Sequence, residues 1–278
     1  MDHADWSSTQ DEVVVDVDDH ELSVAYRDTG EGEPVILLHG IPTWSYLWRA
    51  VVPGLAERYR VIAPDLLGYG NSAQHDGFDR SIRAQEQMLV AVMDRLGLGS
   101  APLVGHDIGG SAALRVAWHH PDLVDRLVLS NVGCFDSWPV EFINGLGLPG
   151  AVTGMDDEEF QATFQRVFGG GLYDDEPSEE FVEGMLAPWQ SHEGRISLER
   201  CAVATNTNHT TEIEYDAITA PTLLLWGGED VLQPVDYAER LADDLGGPTE
   251  LVALDRAYHW VVADRPAAYT DHLLDFLG

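Results

Sequence analysis

The chain has 278 residues, 45% of them hydrophobic, with glycine and proline scattered throughout, which is enough for one α/β domain with an insertion and a large core. All fifteen basic residues are arginine and stand against 48 acidic ones, for a net charge of −33 spread along the whole chain. Such a surface excludes nucleic acid and anionic lipid as partners, and it reads as adaptation to a salt-rich cytosol, where a short screening length tames self-repulsion. No window approaches the roughly 18 unbroken apolar residues of a bilayer span. The acidic start lacks a basic stretch ahead of an apolar run, so no secretion signal is expected. Cys134 and Cys201 match no metal spacing and are too few for a disulfide framework. The chain therefore reads as cytoplasmic, with neither metal nor organic cofactor.

The predicted elements begin with "EVVVDVD" (12–18) and "LSVAYRD" (22–28), an antiparallel pair of strands. "PVILLHG" (34–40) is a continuous apolar run, as expected of a strand buried on both faces of a parallel sheet. "TWSYLWRAVVPGLAERY" (43–59) has helical spacing and leads into the strand "RVIAPD" (60–65). A helix follows over "SIRAQEQMLVAVMDRLGLG" (81–99), ending at glycines. The strand "APLVGHD" (101–107), the helix "GGSAALRVAWHH" (109–120) stopped by Pro121, and the strand "VDRLVLSN" (124–131) come next. From Cys134 to Tyr215 glycine-broken acidic amphipathic pieces replace the strands. Alternation resumes with "APTLLLWGGED" (220–230), "VDYAERLADDLG" (235–246), "TELVALD" (249–255) and "PAAYTDHLLDFLG" (266–278). The expected architecture is α/β. Residues 1–133 and 216–278 form a mostly parallel sheet flanked by helices, and 134–215 form one helical insertion after the sixth strand.

The chemistry centres on Gly105-His106-Asp107-Ile108-Gly109, where a strand runs into a helix with no loop between them. A side chain at such a corner stands at the carboxyl edge of the sheet, where ligands bind, and the helix N-terminus favours an anion there. An aspartate at this position also makes an ordinary helix N-cap. Two later residues bear on the choice. Asp230 lies just beyond the strand "TLLLWGGED", and His259 lies just beyond "TELVALD". Each has a bland reading, Asp230 as a cap for the helix after Pro234 and His259 as one of eleven histidines. Together they give nucleophile, acid and histidine at the ends of successive strands. "LLHGIPTWSYLWR" adds a loop after a buried strand, in which the backbone N–H of Ile41, with that of Ile108, would form an oxyanion hole.

With "HGIPTWSYLWR", "APDLLGYGNS" and "GHDIGG", the chain resembles the α/β-hydrolase superfamily over essentially its full length. Within it the resemblance is to haloalkane dehalogenases and, slightly less, epoxide hydrolases. It implies a nucleophile at Asp107, a base at His259, an acid at Asp230, and a helical cap at 134–215 roofing the site. The residue type fits. An aspartate is already anionic at neutral pH and suits displacement at an sp³ carbon, giving an alkyl ester. His259, oriented by Asp230, would then activate water against that ester.

Dehalogenases hold the departing halide with side-chain N–H donors, one directly after the nucleophile and often another in the H-G-x-P loop. Those positions here are Ile108 and Ile41, so Trp138, Trp189 or Trp44 is the expected replacement. Epoxide hydrolases need a cap tyrosine as acid, for which Tyr215 is the better candidate beside Tyr173. The expected pocket is apolar and aromatic, lined by Trp44, Trp138, Trp189 and Tyr215, for a small apolar substrate and water. A non-nucleophilic oxygenase or lyase on the same fold, or a binding protein that keeps the pocket, stays open at this point.

Overall fold

The computed structural model describes residues 1–174 and 177–278. A short helix α1 (His3–Ser8) precedes β1 (Gln10–Val17) and β2 (His20–Thr29), which pair antiparallel. Asp18 and Asp19 turn the corner with positive φ, the two-residue hairpin geometry that short polar side chains tolerate. β3 (Pro34–Leu38), β4 (Arg60–Pro64), β5 (Ala101–His106) and β6 (Val124–Ser130) follow, then β7 (Thr222–Gly227) and β8 (Thr249–Leu254). They form one eight-stranded sheet in the order β1-β2-β4-β3-β5-β6-β7-β8, parallel from β4 onward. Every residue of β5 and β7 is buried, which is why these strands read as unbroken apolar runs.

The stretch 43–59 departs from the single helix its spacing suggests. It folds as a 3₁₀ turn (Ser45–Ala50) followed by a one-turn α2 (Val52–Leu55). Pro53 explains the break, since within a longer helix its ring would collide with the preceding turn and leave a carbonyl unpaired. α3 (Ile82–Arg95) is capped by Ser81, whose hydroxyl accepts from Ala84 N, and ends at Gly97 with positive φ. α4 (Ile108–His119) starts directly after β5.

Between β6 and β7 lie α5 (Glu141–Leu146), α6 (Asp157–Gly170), α7 (Glu179–Leu186), α8 (His192–Val203) and α9 (Asn208–Thr211). Asp156, Ser178 and Ser191 cap α6, α7 and α8 by accepting from the backbone three residues on. α10 (Val235–Asp244), α11 (Val261–Asp264) and α12 (Pro266–Leu277) complete the chain. Among the described residues no helix is long and apolar enough to cross a membrane.

The strand order fixes where a ligand can sit. From β3 the chain steps outward to β4, then crosses back so that β5 pairs with the other side of β3. The crevice at this switch point lies beyond the carboxyl ends of β3 and β5. His39, Gly40 and Ile41 leave β3 there, and Asp107 leaves β5.

Candidate active site

Asp107 occupies the β5–α4 corner with φ 52 and ψ −128, a conformation side chains rarely adopt. Small neighbours make the corner possible. A Cβ at Gly109 would lie 2.3 Å from His39 O, and one at Gly40 would lie 2.3 Å from Asp107 Cβ. The Asp107 carboxylate faces inward, away from the N-cap role: its Oδ1 accepts from Ile41 N at 2.8 Å, and the nearby Ile108 N–H favours its charged form. The loop presenting Ile41 is braced by His39. Its Nδ1 donates to Gly40 O and its Nε2 accepts from Leu66 N. Burial lowers the His39 pKa to about 4, so the ring stays neutral in that tautomer.

His259 stands opposite, in the loop between β8 and α11. Its Nδ1 lies 2.9 Å from Asp230 Oδ2 and its Nε2 lies 3.8 Å from Asp107 Oδ2. All three side chains are buried. Asp230 is held in turn: Oδ1 accepts from Leu232 N and Oδ2 from Asn131 Nδ2, both at 2.7 Å. Asn131, the residue after β6, accepts from Gly227 N at its Oδ1. The sequence reading missed it. A polar residue at the end of a buried strand was the available signal.

Electrostatics follow from that burial. Desolvation pushes the Asp107 carboxyl up, opposed by the His259 imidazole and by the N–H groups of Ile108 and Ile41. Burial alone would push His259 down, but the charge and hydrogen bond of Asp230, with Asp107 behind them, raise it above the ordinary imidazole value. His106 sits 4.9 Å from His259, ring to ring, and burial drives its pKa far down, so it adds no competing charge.

The cavity over Asp107 is lined by Ile41, Pro42, Trp138, Val140, Phe142, Ile143, Val167, Leu232, Gln233, His259 and Trp260. Of the four expected aromatic lining residues, only Trp138 is there. Trp44 stacks on Tyr46 and gives its Nε1–H to Gly184 O, and Trp189 gives its own to Pro42 O. Tyr215 packs on Phe135 away from the cavity; its hydroxyl accepts from Phe135 N and donates to Thr210 O. These three indole and phenol groups serve as structural ties because buried N–H and O–H groups must find partners, and the partners were backbone carbonyls elsewhere. Tyr173 packs on Tyr258 and is also absent from the lining. Trp138 Nε1, by contrast, is buried with no hydrogen-bond partner. Trp260, Val167 and Gln233 are lining residues that periodicity did not reveal. Among the described residues, no group of three or more His, Cys, Asp or Glu is placed to hold a metal ion.

A carboxylate, an imidazole and a second carboxylate thus lie in line beneath an apolar cavity, with the Ile41 N–H bound to the first carboxylate. Residues 33–266 match the family model for the alpha/beta hydrolase fold, and the chain belongs to that family as a hydrolase. It is 29% identical to a soluble epoxide hydrolase of Corynebacterium sp. (strain C12), over 91% of this chain and 93% of the relative. It is 27% identical to haloalkane dehalogenase 2 of Mycobacterium tuberculosis, over 92% and 91%. The crystal structure of a haloalkane dehalogenase from Bradyrhizobium elkani superposes with a TM-score of 0.81 at 27% identity, covering 96% of this chain and 97% of that one.

Proposed function

We propose that the protein hydrolyses a small apolar haloalkane through an ester of Asp107, beneath a cap formed by residues 134–215. The observation that carries the reading is the division of labour at one carboxylate. Oδ1 is held by Ile41 N–H, while Oδ2 lies on the His259 side of the cavity floor. In the first step the carboxylate attacks the sp³ carbon in line, and the carbon–halogen bond electrons leave with the halide. In the second, His259 Nε2 takes a proton from water, whose oxygen attacks Cγ of the ester. The charge that develops on Oδ1 falls where Ile41 and Ile108 N–H already point. Collapse releases the alcohol and regenerates the carboxylate, and the proton leaves with the halide as acid.

The leaving halide needs a donor, since an anion abandoned in an apolar pocket costs several kcal/mol. Trp138 supports this role because, of the three expected replacements, it alone lines the cavity with its indole N–H unspent (Trp260, outside those three, does so too), whereas Trp44 and Trp189 are committed to carbonyls. Trp138→Phe is expected to lower kcat/KM for chloroalkanes by roughly 10- to 100-fold, and for iodoalkanes less, because iodide leaves with weaker solvation demands. Halide release across a chloro, bromo and iodo series checks it; an equal loss on all three removes Trp138 from the role.

An epoxide hydrolase is the second reading, favoured by the Corynebacterium relative. It lacks an evident acid, since neither Tyr215 nor Tyr173 lines the cavity. Diol formation from epoxides, with no halide release, would decide for it.

The direction of the His259 shift sets the pH profile. Water activation needs the neutral ring, and the raised pKa places the acid limb of kcat above the ordinary 6.5, with activity rising as pH climbs through it. Asp230→Asn leaves burial opposed by Asp107 alone, so the limb should move to lower pH while kcat falls by about 10²- to 10⁴-fold. A limb that stays in place contradicts the assigned base.

A further inference from the structure

The main chain of the loop that carries His259 is tied on both sides of that residue. Arg256 N and Ala257 N donate to the Glu229 carboxylate at 3.2 and 3.3 Å, on the turn after β7 that also carries Asp230. The next two ties run elsewhere. Tyr258 N donates to Asp264 Oδ2 at 2.8 Å, and Trp260 N donates to Gly171 O at 2.9 Å. Asp264 also accepts from Tyr173 N, at 3.1 Å to Oδ1 and 3.2 Å to Oδ2. Gly171 and Tyr173 follow α6, in the insertion between β6 and β7. The residues flanking His259 are therefore bonded, one through Asp264 and one directly, to the same short stretch beyond α6.

Packing repeats the connection. Trp260 lies 5.9 Å from Phe168, ring to ring, and Tyr173 meets Tyr258 edge-on at 5.5 Å. A Cβ at Gly171 would lie 2.2 Å from Trp260 Nε1, so insertion and loop approach as closely as glycine permits. One turn ahead of Gly171, α6 places Val167 in the cavity wall. The helix that borders the cavity thus ends on the loop that carries the imidazole. Burial, and behind it the charges of Asp174 and Glu229, push the Asp264 carboxyl up, while the N–H groups of Tyr258 and Tyr173 oppose them. The anion depends on the two segments it joins.

We propose that Asp264 is a positioning residue: by holding Tyr258 and Tyr173 together it seats the loop against the end of α6 and keeps the His259 imidazole aligned on Asp107. The role rests on the proposed reaction, in which His259 activates water against an ester of Asp107. His259 Nε2 lies 3.8 Å from Asp107 Oδ2, and a misplacement of about 1 Å in such an alignment can slow a step about a hundredfold. The imidazole is used in the second step alone, so loosening the tie slows ester hydrolysis and spares ester formation.

Two variants of the whole protein test this from opposite sides. Asp264→Asn keeps one carbonyl acceptor and sets an amide NH₂ against the other donor, so one of the two ties is lost. Gly171→Ala disturbs the same join from the insertion, through its clash with Trp260. In rapid-quench single turnovers with a bromoalkane, the alkyl mass on the Asp107 peptide should appear within about twofold of the wild-type rate and disappear about 10- to 100-fold more slowly. Equal losses in both steps, or no change in either, overturn the proposal and leave Asp264 a tie in the fold only. A second readout needs no substrate. The low-field proton resonance of His259 Nδ1–H, bonded to Asp230, should broaden or shift in both variants. A resonance unmoved in both overturns the proposal whatever the kinetics. A moved resonance in a protein whose wild type and His259→Gln form leave Asp107 unalkylated sinks the ester reading and leaves the positioning role standing.

Discussion

Asp107→Gly is expected to abolish turnover, by about 10⁴-fold or more in kcat, while making the protein more stable than Asp107→Ala by about 1 kcal/mol. The first half follows from covalent chemistry. Without the carboxylate there is no ester, and His259 has nothing to hydrolyse. The second half follows from the backbone. Asp107 holds φ 52 and ψ −128 at a corner fixed by Gly109 below and Gly40 alongside. Glycine enters that conformation without a Cβ to strain, whereas alanine keeps the strain and loses the carboxylate alike. Comparing the two variants separates the backbone effect from the loss of the Ile41 N–H acceptor, which both share. Kinetics and urea unfolding of the pair check it. Activity above about one hundredth of wild type would place the nucleophile elsewhere, and equal stabilities would deny the strain.

The second large effect lies outside the catalytic groups. Arg115 of α4 is buried, and its Nε donates to Glu86 Oε2 of α3 at 2.6 Å. Its Nη1 donates to His209 O at 2.9 Å and to Glu212, at the end of the insertion between β6 and β7. One guanidinium thus joins the helix that begins beside Asp107 to the helical segment whose α5 and α6 line the cavity. Arg115→Met leaves Glu86 buried with only the imidazoles of His119 and, at 4.0 Å, His120 beside it, and should cost about 3–5 kcal/mol in unfolding free energy. Adding Glu86→Leu should recover most of that loss, because two apolar side chains remove the uncompensated charge. Urea unfolding of the single and double variants measures both. A loss below about 1 kcal/mol, or no recovery, would mean that the pair is not desolvated as its burial indicates.

The fold and the site were legible to different depths. β3, β5 and β7 declared themselves because strands covered on both faces carry unbroken apolar runs. Asp107, Asp230 and His259 were legible because residues at strand ends share one edge of a parallel sheet, whatever packs around them. Their second layer was not. Asn131 supports Asp230 through a side-chain amide whose direction depends on strand neighbours far away in sequence. The stretch 43–59 showed helical spacing, yet Pro53 divided it. The cavity lining was read worst. Trp44, Trp189 and Tyr215 are aromatic and fall in the right segments, but where an indole or phenol points is decided by which backbone carbonyl needs a donor, and that is a tertiary fact. Trp138 was among the same candidates and differs only in having found no partner.

The most direct measurement is the mass of the Asp107-containing peptide from His259→Gln protein incubated with a bromoalkane. With the base removed and the carboxylate intact, alkylation should proceed and hydrolysis should stall, so that peptide gains the mass of one alkyl group in stoichiometric yield. An unmodified Asp107 peptide from folded protein, or an alkyl group found on another residue, would contradict an ester at this corner.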